Sequence, residues 1–158
     1  MWPEPVERVA RELRGAAIDA AIHEFPDGTP TAAAAARAIG CRLEQIVKSI
    51  VVVVDGEFVL VLVPGHRRAD LESVAAALEG EEIRVARADE VLAATGFEPG
   101  AVAPFPSGAI RTVLLERTIL QHSRVWIGAG TPSHMAELSP HELQRLSGAA
   151  TADVAGPR

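Results

Sequence analysis

Lysine is almost missing from this chain: of its fifteen lysines and arginines, fourteen are arginine and one is Lys48. As bare surface charges the two are exchangeable, so a single exception within a strong arginine bias marks a position that wants a compact ammonium rather than a planar fork. Cysteine is as scarce. Cys41 stands alone, which excludes an internal disulfide framework and a cysteine-cluster zinc site, and nothing calls for an oxidising compartment. No apolar stretch approaches the roughly 20 residues that span a bilayer, and the opening "MWPEPVERVA" lacks a basic segment followed by an apolar one. These absences point to a soluble cytoplasmic protein with no membrane partner.

Most catalytic signatures are missing too. The chain has no G-x-x-x-x-G-K-[ST] phosphate loop, no G-x-G-x-x-G after a strand and no G-x-S-x-G nucleophile elbow, which lowers the standing of nucleotide hydrolysis and serine-esterase chemistry. The histidines, His23, His66, His122, His134 and His141, show no tight metal spacing, so neither a metal nor another cofactor is expected. A net charge of −6 argues against a protein that grips DNA or other long nucleic acid non-specifically, since such affinity comes from many cationic contacts. Arg42, Lys48, Arg67 and Arg68 remain able to form a local basic face if the fold gathers them.

What is present is the pattern of one globular domain of 158 residues. Helical spacing predicts a helix over 5–18. "AAIHEF" reads as a short strand before the turn "PDGTP". A small-residue helix follows, with Thr29 as cap, Pro30 at its first position and Gly40 as its stop. "SIVVVV" and "EFVLVLV" flank Asp55-Gly56 and predict a hairpin whose unalternating apolar strands have both faces covered. Further helices are expected over 69–78 and 89–94, the first capped by Asp70 or a neighbour, with a strand at "EIRVA" between them. Residues 96–108 hold six Gly or Pro among thirteen and read as a shaped loop. "AIRTVLLE", "RVWIGAG" and "HMAEL" read as strands and "SPHELQRLSG" as a helix capped by Ser139. The result is a single α/β (mixed α+β) domain over 1–148, with 149–158 as a loose tail.

The chemistry that remains is Lys48 with two glycine-bearing loops, "GFEPGAVAP" and "IGAGTPSH". Glycines let backbone approach a ligand closely and leave N–H groups to polarise a carbonyl. Taken alone, either loop is equally a plain turn between strands. Cys41, lying between a helix stop and a strand with no base marked beside it, reads as structural.

The succession "QIVKSIVVVVDGEFVLVLVPGHRRADL", "ATGFEPGAVAPF" and "VWIGAG" resembles the YbaK/proline-tRNA-synthetase-associated editing domain family of aminoacyl-tRNA deacylases, over about residues 15–147. Its most specific marks are Lys48, opening the central strand, and the G-x-x-x-P loop Gly100–Pro104. The resemblance implies a mixed, mostly antiparallel central sheet or partly closed barrel with surrounding helices. It also implies a small pocket for an amino acid esterified to the 3′ end of a tRNA, and hydrolysis of that ester without a side-chain base, metal or cofactor. Lys48, Gly100 and Pro104 would then be catalytic, with Ala101, Val102, Ala103, Gly128, Gly130 and His66 binding substrate. The expected partner is the acceptor end of a mischarged aminoacyl-tRNA, with a synthetase or elongation factor as a candidate second partner. Three positions depart from the pattern or add to it. His66 stands where relatives are varied and often acidic, His134 follows the second loop, and Ala103 lacks a hydroxyl that some relatives carry. Two rival readings stay open: a non-catalytic module that binds an aminoacyl or nucleotide end, and a hydrolase of another small ester.

Overall fold

The computed structural model describes residues 2–157. The chain runs α1 (Glu4–Gly15), β1 (Ile22–Glu24), α2 (Ala32–Ile39), β2 (Val47–Val54), β3 (Glu57–Pro64), β4 (Arg68–Ala69), α3 (Leu71–Ala77), β5 (Ile83–Val85) and α4 (Ala88–Thr95). It continues with β6 (Thr112–Glu116), β7 (Val125–Gly128), β8 (His134–Leu138), α5 (Pro140–Ser147), β9 (Ala150–Ala152) and β10 (Ala155–Gly156). Short 3-10 turns precede β2 and follow β6.

The β2–β3 hairpin organises everything else. Asp55 and Gly56 both take positive φ, +49° and +83°, the geometry of a tight primed turn, and the eight residues of each strand pair in register from Val47–Pro64 to Val54–Glu57. The five-stranded sheet has the order β5–β2–β3–β6–β9, antiparallel among the first three and parallel among the last three. Three antiparallel strands, β1–β8–β7, form a second sheet, joined to the first where Ile46 bridges Trp126. The main sheet ends in two edge strands, β5 and β9, so it is an open mixed sheet and not a barrel.

The apolar run of the hairpin is explained by burial on both sides. Val51, Leu60 and Leu62 face a core completed by Val9 and Leu13 of α1 and Leu143 of α5, while Val52, Val59, Val61 and Val63 face Val74 of α3 and Val154. Among the described residues, no helix is long and apolar enough to cross a membrane.

Two expectations change. Thr31, not Thr29, caps α2: its side chain accepts from the Ala34 N–H, whereas Thr29 directs both its N–H and its hydroxyl to the Pro132 carbonyl. The segment expected to be a loose tail is built into the fold. β9 pairs with β6, β10 pairs with β4, and fully buried Val154 lies between them. The cause is Glu116, a carboxylate 2% exposed, which accepts hydrogen bonds from the Val154 and Ala155 N–H groups at 2.8 and 3.0 Å.

Candidate functional site

A cleft of about 520 Å³ opens between the start of α2, the first residues of β2, the 100–102 segment and the 128–135 segment. α2 contributes small side chains, Ala32, Ala33 and Ala35, so the helix narrows the cleft little. Lys48 enters from β2, opposite Val63, half-buried, and its Nζ donates to the Arg67 carbonyl. Gly65 is needed where β3 turns away: a Cβ there would lie 2.5 Å from the Leu43 carbonyl oxygen.

The glycine-rich 96–108 loop is nailed down at its entry. Buried Thr95 donates its hydroxyl to the Val91 carbonyl at 2.7 Å and accepts from the Phe97 N–H at 3.0 Å. Arg8 donates to the Gly96 and Thr95 carbonyls and lies 4.2 Å over the Phe97 ring, which packs edge-on to Phe105. Gly100 takes φ +83°, and a Cβ there would meet nothing within 4 Å, so this residue borders open space. The N–H groups of Gly100 and Val102 have no hydrogen-bond acceptor among the described residues. They are available to a ligand carbonyl.

The sequence-selected residues divide by position. Lys48, Gly100, Val102 and Gly128 line the cleft together. Ala101, Ala103 and Pro104 are buried and do not line it. Gly128 faces the Val102 carbonyl, with a notional Cβ 3.9 Å away, while Gly130 faces elsewhere: at φ +103° its Cβ would lie 2.6 Å from the Pro5 carbonyl oxygen, so its lack of a side chain admits the start of α1. His66 does not line the cleft and lies near Glu44 and His122. There, burial and the adjacent Arg42 guanidinium push the His122 imidazole below its ordinary value. Arg67 is committed to the Ala155 and Gly156 carbonyls, so the expected four-cation face loses a member. Burial pushes the Cys41 thiol up, as befits a packing cysteine beside Ile39 and Trp126.

His134, which follows the second glycine-bearing loop, is assigned no role by the sequence. It is 4% exposed and lines the cleft. Its Nδ1 shares a hydrogen with the Thr131 hydroxyl, the Trp2 ring stands edge-on at 5.2 Å, and the Glu24 carboxylate lies 3.8 Å from Nε2. Nε2 is buried without a hydrogen-bond partner among the described residues, a costly state that a ligand would relieve. The signal for it was the turn before β8: Thr131 two residues ahead of Ser133 forms a short side-chain turn that sets the next residue inward. Among the described residues, no group of His, Cys, Asp and Glu side chains is suited to hold a metal.

Comparison with known proteins identifies the family and the fold. Residues 26–146 match the model of the aminoacyl-tRNA editing domain. A crystal structure of a proposed trans-editing enzyme for prolyl-tRNA synthetase superposes with a TM-score of 0.92 at 33% identity, covering 99% of both chains. The uncharacterised protein YwhH of Bacillus subtilis is 30% identical over 127 residues, 80% of each chain. The proline–tRNA ligase of Lactobacillus johnsonii is 33% identical over 85 residues, 54% of this chain, and that match spans 15% of the ligase. On the strength of the family match and of the full-chain superposition at 33% identity, this chain belongs to the aminoacyl-tRNA editing domain family.

Proposed function

We propose that the protein is a trans-acting deacylase that hydrolyses the ester between a mischarged small amino acid and the 3′-terminal ribose of a tRNA. The observation that carries this reading is the meeting, in one cleft of about 520 Å³, of the chain's single lysine, a glycine-rich segment with two N–H groups that have no acceptor among the described residues, and a buried imidazole nitrogen.

Hydrolysis adds water to the ester carbonyl carbon and then breaks the bond to the ribose oxygen, releasing an amino acid and a free hydroxyl. Aminoacyl esters are activated, so orientation and stabilisation of the oxyanion suffice without a Ser–His pair. The Gly100 and Val102 N–H groups supply that stabilisation, and Pro104 stiffens the backbone that presents them. Lys48 holds the terminal adenosine phosphate or the developing oxyanion as a compact charge. His134 Nε2 meets the polar end of the bound amino acid. The leaving ribose oxygen takes up a proton delivered by way of the attacking water, with the neighbouring ribose hydroxyl helping to place that water.

The apolar walls of Ala32, Ala33 and Val102 suit an uncharged side chain, and such a pocket separates neighbours by only about 1–3 kcal/mol per methylene. The test is release of labelled amino acid from tRNAs charged with alanine, serine, threonine, cysteine or proline. The expected outcome is turnover concentrated on one of these esters, falling about a hundredfold in Lys48→Ala. Binding of every ester with turnover of none would replace the deacylase by a binding module. Turnover that uncharged tRNA fails to compete would point to a hydrolase of other small esters.

A further inference from the structure

The segment that carries β9 and β10 reaches the site lysine through one arginine. Lys48 Nζ donates to the Arg67 carbonyl, and three independent sets of contacts determine where that carbonyl lies. Within its own turn, the Arg67 N–H donates to the Pro64 carbonyl at 3.0 Å. On its far side, Arg68 and Ala69 pair with Gly156 and Ala155, and the Asp70 N–H donates to the Val154 carbonyl at 2.8 Å. The Arg67 side chain supplies the third set: Nε donates to the Gly156 carbonyl at 3.1 Å, Nη2 donates to the Ala155 carbonyl at 2.5 Å, and Nη1 lies 3.8 Å from Glu116 Oε2.

Glu116 closes the circuit. Its Oε1 accepts from Val154 and Ala155, its Oε2 from the Thr118 N–H and hydroxyl, and its carboxylate balances the guanidinium charge. A lysine side chain carries about 2 kcal/mol of rotamer entropy, so an ammonium dwells in one place only when its acceptor is itself immobile. A carbonyl on an untethered four-residue turn would drift, and the ammonium would drift with it.

We propose that Arg67 is a positioning residue: by clamping the 64–67 turn to the 154–156 segment it holds the Lys48 ammonium in the cleft. The functional consequence rests on the deacylase reading, but the placement of the ammonium does not. Because Lys48 is the chain's one lysine, this chain grown with ¹⁵N-lysine gives a single side-chain ammonium signal, observable when the group is hydrogen-bonded and shielded from exchange.

Arg67→Met is expected to broaden that signal away. It should also lower kcat on the preferred ester by about tenfold or more, with little change in KM, since a misplaced group costs chemistry more than binding. In a Lys48→Ala background, the same substitution should cost nothing further, because the two act as one unit. If Arg67→Met does not fold, Glu116→Gln is the second variant. It removes the charge opposite Arg67, and a partial broadening in the same direction is expected. An ammonium signal identical to wild type in whichever variant folds would overturn the proposal, as would an equal loss of kcat in both backgrounds. Should the wild type hydrolyse no ester, the deacylase reading falls, and the ammonium signal alone decides for or against the clamp.

Discussion

Glu116 follows three apolar residues of β6 and is as buried as they are. Burial pushes its carboxyl up, but the N–H and O–H donors of Thr118, Val154 and Ala155 outweigh that and hold it below the ordinary carboxylate range. A carboxyl depressed in the folded state stabilises fully above its unfolded value of about 4.3, and that contribution is lost as pH falls through the folded one. Thermal melts should therefore show Glu116→Gln destabilised at pH 7 by on the order of 2 kcal/mol, with the gap to wild type closing below about pH 4. The glycines make a second comparison at this scale. Gly100→Ala meets no neighbour and bears only the left-handed backbone cost of about 1–2 kcal/mol, whereas Gly130→Ala also drives a methyl into the Pro5 carbonyl. Chemical denaturation is expected to rank Gly130→Ala as the more damaging to stability, by at least about 1 kcal/mol. The sequence marks both positions as glycine. It cannot say that Gly130 answers to α1, because that neighbour is more than a hundred residues away along the chain.

Elements were legible where the deciding chemistry was local. Asp55-Gly56 between two apolar runs specifies the hairpin, and Ser139 with Glu142 forms a reciprocal cap on α5, each accepting the other's backbone N–H. Ser139→Ala should accordingly lower stability by about 1 kcal/mol, read as a shift in denaturation midpoint without a change in slope. The cap of α2 was misplaced by two residues because Thr29 and Thr31 both flank Pro30, and only the distant Pro132 carbonyl decides which hydroxyl is free to cap. β9 and β10 were illegible for a related reason. "ATADVAG" has the composition of a tail, and its order comes from Glu116, Arg67 and β6, none of them near in sequence. The same holds within the site, where Lys48 and the Gly100 segment carry readable motifs but buried His134 takes its meaning from Thr131, Trp2 and the cleft.

At the scale of the molecule, a net charge of −6 limits how a tRNA is held. With Arg67 turned inward to the Ala155 and Gly156 carbonyls, few cations remain for phosphates near the cleft. The logarithm of affinity for aminoacyl-tRNA plotted against that of salt should have a slope no steeper than about −3, the mark of a few contacts at the acceptor end. The parallel pairing of β6 with β9 and the clamp on Arg67 also set a timetable. Arg67 and its acceptors Ala155 and Gly156 are separated by 88 and 89 positions. On a ribosome adding about 5–20 residues per second, the hairpin is complete roughly 4–18 s before those acceptors exist. Throughout that interval the Arg67 side chain lacks these acceptors, and from the moment Glu116 is added its carboxylate awaits the Val154 and Ala155 N–H groups 38 and 39 positions on. The turn that carries the Arg67 carbonyl is thus tied down only once residues 154–156 exist, so the Lys48 contact is completed well after the hairpin that presents it.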